Sequence, residues 1–390
     1  MKRPILVSLF TIAAIFLFGF LGWALSGHGT IGLLRITPIF LYVFIFIIAI
    51  GLTLIGLFLW YLPLGHRAKR SIESRLSVFL LALTIMCIAL FSTAFIQLGG
   101  FPHSNDIKPI TQLDISPTDG LNLHFAAGSD AHFGAGTNSP AVTYDILSQI
   151  GDPANKYDIF FSLGDLVEFG FKDNQWNQAF QMLSATASSV PIRFAPGNHD
   201  TLFGGLSRYE DYCSPPATQS PDSKLWYRIN VGRVHFLVLD VEWSAETVTQ
   251  QQLEWLQIQL GGIPKEDWRI VLSHGFYYSS GYTYLGWNWY DNPETISRLS
   301  TLFEKYGVDI VFSGHNHYLE FLQHSGINYV VCGGLGGNHD PTPTYISPSS
   351  VWLQPEQFGF ADVNINGDLA SLNFRGPDSN ILENFTLTKH

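Results

Sequence analysis

Five short apolar runs in the middle of this chain each lead into residues that can hold a metal ion or move a proton. That pattern narrows the fold more than any other feature. Leu121–Ala127 runs into Gly128-Ser129-Asp130-Ala131-His132, and Tyr157–Leu163 into Gly164-Asp165. Pro191–Ala195 leads to Gly197-Asn198-His199-Asp200, Arg269–Ser273 to His274, and Asp309–Ser313 to Gly314-His315-Asn316-His317. Helical patterns at Ala141–Ile150, Gln175–Ala187, Thr249–Leu260 and Pro293–Tyr306 fall between the runs, so strands and helices alternate. Further strands are expected at Arg228–Leu239, at Tyr329–Cys332 and after Phe358, where Asn366-Gly367 marks a turn. The expected fold class is α/β, and open α/β sheets place their sites at the carboxyl ends of the strands.

Carboxylate, imidazole and amide oxygen together suit Mn, Fe, Zn or Co better than Ca. Singly each piece is weak: a Gly-Asp is more often a turn, and a histidine after a strand is often a cap. Their ordered joint occurrence carries the inference, and the donors exceed what one ion needs. Gly-Asn-His-Asp recurs at Gly337–Asp340, but that copy lies in a glycine-rich run after the two-histidine motif, so the site is assigned to the first copy. His339 and Asp340 are left as candidates for the rim of the pocket. Three cysteines, Cys87, Cys213 and Cys332, are too few for a disulfide scaffold and allow at most an optional Cys213–Cys332 bridge.

The first third is of another kind. Pro4–Gly27, Ile36–Gly65 and Leu76–Pro102 carry no charge, and each is long enough to cross a bilayer as a helix. Three transmembrane helices are expected at about 5–26, 38–62 and 77–98, making residues 1–98 an anchor, 99–120 a linker, and 121–390 the main domain. Lys2 and Arg3 precede the first span, and Arg67, Lys69, Arg70 and Arg75 lie between the second and third. That asymmetry predicts a cytoplasmic amino terminus and an extracytoplasmic main domain. No ionisable Asp, Glu, Lys or Arg interrupts a span, so passive anchoring is expected rather than transport. Eight of the 21 basic and two of the 32 acidic residues fall within residues 1–110, leaving the rest of the chain with a net charge of −17. So negative a domain repels phosphate backbones, which excludes a nucleic-acid polymer as partner.

The set Asp130-x-His132, Gly164-Asp165, Gly197-Asn198-His199-Asp200, His274 and Gly314-His315-x-His317 resembles the calcineurin-like metallophosphoesterase superfamily. The resemblance covers roughly residues 121–320 and leaves the apolar third outside. It implies a β-sandwich flanked by helices and two divalent metal ions (Mn, Fe or Zn). One ion would be held by Asp130, His132 and His317, the other by Asn198, His274 and His315, with Asp165 bridging both. His199 would act on the phosphoryl group without ligating, oriented by Asp200. The implied reaction is in-line attack on phosphorus by a hydroxide shared between the cations, hydrolysing a phosphodiester or phosphomonoester. Purple acid phosphatases place a tyrosine ligand three residues after the Gly-Asp aspartate; Glu168 stands there, so an iron–tyrosinate centre is not expected. The motifs look nearest to cyclic-nucleotide-phosphodiesterase-like members.

Residues 276–290 hold eight aromatics in fifteen positions and directly follow His274. Tyr277, Tyr278 and Trp287 are the candidate substrate contacts, and three roles stand open: stacking a nucleobase or sugar, lying at a membrane interface, or packing as a loop core. The expected substrate is a phosphoester that is lipid- or nucleotide-linked. The competing reading is an inactive, membrane-tethered binding module; filled donor positions throughout argue against it.

Overall fold

The computed structural model describes residues 107–115, 122–216, 223–284 and 286–389. The expected spans lie outside these residues; among the described residues no helix is long and apolar enough to cross a membrane. The chain builds two large sheets. The first has six strands and the second seven.

In the first sheet, β1 (Asn122–Gly128), β2 (Ile159–Ser162) and β3 (Ile192–Phe194) run parallel. β13 (Phe360–Asn366), β14 (Leu369–Arg375) and β15 (Ile381–Thr388) extend it antiparallel. In the second, β5 (Val234–Val238), β6 (Trp268–Leu272), β9 (Ile310–Ser313) and β11 (Ile327–Cys332) are parallel neighbours. Antiparallel β4 (Tyr227–Val231) edges one side, and β10 (Leu319–His324) and β12 (Ser350–Gln354) the other.

Strand alternation decides the layering. Leu123, Phe125 and Ala127 of β1 and Ile159, Phe161 and Leu163 around β2 turn into the core between the sheets, where Phe236, Ile270 and Phe312 of the second sheet meet them. Their in-between neighbours Ala126 and Phe160 face the opposite way, onto helices. Val271 and Val311 do the same on the outer face of the second sheet. Helix α1 (Pro140–Gly151) buries Thr143, Ile146, Leu147 and Ile150, a spacing of three and four that makes one continuous stripe. α2 (Asp173–Thr186) packs beside it, joined by the short α3 (Asn198–Thr201) and α4 (Leu206–Tyr212). On the other side α5 (Gln250–Gly261) buries Gln252, Leu256 and Leu260, its first turn capped by Thr249, which accepts from the Gln252 N–H.

Three expectations change. Arg228–Leu239 is a hairpin, not one strand: Gly232 takes a left-handed φ of 56° and folds β4 back on β5. Cys213 and Cys332 are free and buried, one in the helix-side core and the other between the sheets, so there is no bridge. Part of the segment expected as linker is docked: Gln112 donates to the Ser214 carbonyl at 2.7 Å, and Arg193 to the Leu113 carbonyl at 3.0 Å.

Phe125 is fully buried and meets Phe161, Phe236 and Phe312 edge-on. Phe125→Ala should cost about 3–5 kcal/mol, read as a lower denaturation midpoint of the purified protein. Added reductant should leave the wild-type midpoint where it is, because neither Cys213 nor Cys332 is bridged.

Candidate metal centre

β1, β2 and β3 end at the same edge of the sandwich as β6 and β9, so five loops from two sheets meet there. The backbone bends sharply to bring them in. Asp130, His132, Asp165 and His315 all take left-handed φ values, 67°, 48°, 49° and 69°. Bulky residues rarely adopt that conformation, and such strain collects at functional sites. Two glycines make the approach feasible. A Cβ on Gly197 would lie 2.1 Å from the Asp165 nitrogen, and one on Gly314 would lie 2.1 Å from the Ser129 hydroxyl oxygen.

The donors form two groups. In the first, His132 Nε2 and His317 Nε2 are 3.1 Å apart, with Asp130 Oδ1 3.2 Å from the His317 nitrogen. In the second, His274 Nε2 is 3.2 Å from Asn198 Oδ1 and 3.2 Å from His315 Nδ1. Asp165 Oδ2 serves both groups, 3.6 Å from His132 Nε2 and 3.2 Å from His274 Nε2. Every expected donor is therefore brought to one place, and the carboxylate expected to bridge sits between the groups. Ligands about 2.0–2.2 Å from a common cation are separated by roughly 3 Å from one another, the spacing found here.

The outer nitrogens strengthen that reading. His132 Nδ1 donates to Glu168 Oε2 at 2.8 Å, His317 Nδ1 to the Asn338 carbonyl at 2.5 Å, and His274 Nδ1 to the Leu163 carbonyl at 2.9 Å. With their Nδ1 protons so committed, His132 and His317 aim two Nε2 lone pairs at each other, which only a proton or a cation between them relieves. Asp130 Oδ1 is likewise buried and accepts no hydrogen bond. The residues fit a pair of divalent cations.

Without cations the site holds protons instead. Burial opposes charge on His274, but the Asp165 and Asp130 carboxylates raise it to about 9. Burial and the neighbouring His274 charge push His315 down to about 3. Asp130 and Asp165 are held below the usual carboxylate range by the surrounding histidines, against the effect of burial. Cations entering here must expel protons, so their affinity rises with pH.

His199 stands at the open side of the first group. Its ring lies 4.6 Å from that of His132, and its side chain keeps about a third of its surface exposed (34%). The expectation that Asp200 orients it is corrected. His199 Nδ1 donates to the Glu168 carbonyl at 2.8 Å, while Asp200 accepts from the Val167 and Gly197 backbone N–H groups. Asp200 thus ties two site loops together; burial and the Asp165 charge push its carboxyl up to about 8.

Two substrate contacts are also corrected. Tyr277 and Tyr278 are buried in the outer core of the second sheet, Tyr278 stacked on His324 at 4.1 Å, because the chain after His274 dives back under the helical stretch 293–306. Trp287 is 74% exposed, on the hairpin β7 (Tyr282–Tyr284) and β8 (Trp287–Trp289). The aromatic rings against the site are Phe276, Trp289 and Trp243, all around His315.

Sequence reasoning missed Glu168 as a partner of His132, and it placed the second Gly-Asn-His-Asp at the rim. There Asp340 accepts from the His317 backbone N–H at 2.8 Å, so Asn338 and Asp340 both back a ligand histidine. The only signal for Glu168 was its position three residues past Asp165.

Asp165→Ala should lose metal from both groups, counted as ions per chain by elemental analysis. Glu168→Gln removes the negative partner of His132 and should weaken metal affinity about 10–100-fold, in a competition titration against a chelator.

Comparison with known proteins identifies the family and the fold. Residues 123–319 match the calcineurin-like phosphoesterase family. An Arabidopsis thaliana protein named probable inactive purple acid phosphatase 1 is 27% identical over 272 residues, 60% of this chain and 44% of that one. A Hordeum vulgare nucleotide pyrophosphatase/phosphodiesterase is 25% identical over 60% of this chain and 72% of its own. The chain thus spans under half of the first relative's length. A purple acid phosphatase from yellow lupin (Lupinus luteus) seeds shares the fold, with a TM-score of 0.59 at 21% identity, covering 70% of this chain and 55% of that one. With its sandwich of two sheets and its ordered donors, the chain belongs to the calcineurin-like phosphoesterase family.

Proposed function

We propose that the protein hydrolyses a phosphoester, either a phosphodiester or a phosphomonoester. The observation that carries this reading is the Asp165 carboxylate shared by two complete donor groups, with His199 beside them. Two divalent cations (Mn, Fe or Zn) would supply Lewis acidity to the phosphoryl oxygens and an ionised water near neutral pH. Asp130, His132 and His317 would hold one of them, and Asn198, His274 and His315 the other. His199 keeps its Nδ1 proton on the Glu168 carbonyl, so its Nε2 is the atom that exchanges a proton with the leaving oxygen. Asp200 and the tight Gly164–Gly197 contact keep the two loops in register under that ring.

The names of two relatives point in different directions, one probably inactive and the other a phosphodiesterase. The filled donor set favours activity here, because an inactive binding module has no need of His199 beside two metal groups. The uncharged stretches within residues 1–98 further support an anchor that holds the domain outside the membrane, close to lipid- or nucleotide-linked phosphoesters.

Purified full-length protein loaded with Mn²⁺ should release p-nitrophenol from aryl phosphate esters. Asp165→Ala should abolish this, and His199→Ala should lower kcat about 10²–10⁴-fold while metal content stays normal. Undiminished turnover in Asp165→Ala overturns the assignment. For orientation, a membrane-impermeant amine reagent added to sealed cells should label lysines of the domain, such as Lys224 and Lys265; labelling only after lysis places the domain inside.

A further inference from the structure

His315 differs from the other ligand imidazoles. Its outer nitrogen, Nε2, is buried and has no hydrogen-bond partner. Aromatic rings hold it instead: Trp289 stacks on it at 5.0 Å, Phe276 at 5.8 Å, and Trp243 leans against it at 5.6 Å. Trp243 also meets Trp289 edge-on at 5.0 Å.

Phe276 is buried, whereas Trp243 is 40% exposed. An exposed ring on a loose loop would mean little, but the Trp243 backbone is fixed. Its carbonyl accepts from Asn292 Nδ2 at 3.1 Å, and the preceding Glu242 carboxylate accepts from the Thr201 hydroxyl in the loop that carries Asn198 and His199. One residue further back, the Val241 carbonyl accepts from the Gly275 N–H at 2.7 Å, next to His274. The β7–β8 hairpin that carries Trp289 is pinned as well. Tyr282 donates to Asp340 at 3.2 Å, and that carboxylate also accepts from the backbone of His317. Gly281 pairs with Tyr345 at the base of the hairpin.

The result is a rigid indole wall beside the second donor group. It stands against His315 of the second group, whereas His199 lies against His132 of the first. An exposed aromatic surface held this firmly next to a polar site offers a face for a flat ring.

We propose that Trp243, backed by Trp289, forms a subsite that stacks a planar aromatic ring on the ester arm the phosphorus keeps. The preferred substrates are then phosphodiesters bearing a nucleobase or aryl arm. Simple alkyl diesters, or esters with a lipid arm, are poorer substrates. The inference rests on the phosphoesterase reading above and adds its substrate class.

The test keeps p-nitrophenol as the leaving group and varies the retained arm among thymidine, p-nitrophenyl, methyl and octyl in the Mn²⁺-loaded full chain. Wild type should favour the thymidine and p-nitrophenyl arms over methyl. Trp243→Ala should shrink that kcat/KM ratio about tenfold, the size of one stacked ring, mainly through KM. Trp243→Phe should restore much of the ratio, and Trp243→Leu should not. An octyl arm that matches the aryl arm, with Leu serving as well as Phe, overturns stacking in favour of a lipid subsite. A ratio unchanged in Trp243→Ala overturns the subsite itself.

Equilibrium binding gives a readout free of turnover. Thymidine 5′-monophosphate should bind wild type about tenfold tighter than methyl phosphate, and Trp243→Ala should erase the difference. If no ester is hydrolysed but this difference holds, the phosphoesterase reading fails and the subsite stands. If esters are hydrolysed without the difference, the subsite alone fails.

Discussion

Donor atoms that repel one another are held together here, and the surrounding fold has to sustain that crowding. His132 and His317 face each other through unshared nitrogens at 3.1 Å, and Asp130 and Asp165 sit within the same space, almost fully buried. Such a cluster is stable only when the scaffold leaves the groups no room to part and when positive charge, as protons or cations, lies among them. The scaffold supplies the first condition. Five strand ends from two sheets converge, and the sheets are locked face to face by Phe125, Phe161, Phe236 and Phe312. The cost appears in the backbone as left-handed conformations at four of the donor residues.

The outer partners of the imidazoles divide into two kinds, and the division gives the site its asymmetry. On the His199 side the partners are polar: Glu168 on His132, Asn338 on His317, and the Glu168 carbonyl on His199 itself. On the far side His274 keeps a carbonyl partner, but the outer nitrogen of His315 has aromatic rings around it and no hydrogen bond. One flank can therefore exchange protons, and the other offers an apolar face. A buried polar network secures the apolar flank: Glu320 accepts from the Ser280 N–H at 2.9 Å, and Asn316 Nδ2 donates to the Ser279 hydroxyl at 2.9 Å. Asn316 lies between the two ligand histidines of its motif, so the loop that carries Trp289 and the loop that carries the ligands share one foundation.

Glu168 acts on the site from outside the donor groups. Its carboxylate reaches past the donors to the outer nitrogen of His132. It acts on the ligand, raising the basicity of an imidazole and fixing its tautomer.

The α/β class and the strand ends at which the candidate donors gather were legible in the linear chain because each depends on local pattern. An apolar run ending in Gly-Asp or Gly-His-Asn-His states both a strand and what its end delivers. The hairpin at Gly232, the β10 strand, the free cysteines and the true partner of His199 were not legible. Each depends on which segments become neighbours across the two sheets. The aromatic segment is the clearest case. Eight aromatics after His274 left stacking, membrane contact and core packing all open, and their sequence spacing could not say which rings turn inward. Packing sent Tyr277 and Tyr278 into the core and left Trp289 on His315, and it brought Trp243 in from another loop altogether. Residue type and order determined which donors this protein carries; burial and loop-to-loop contact, which no local pattern encodes, decided what surrounds them.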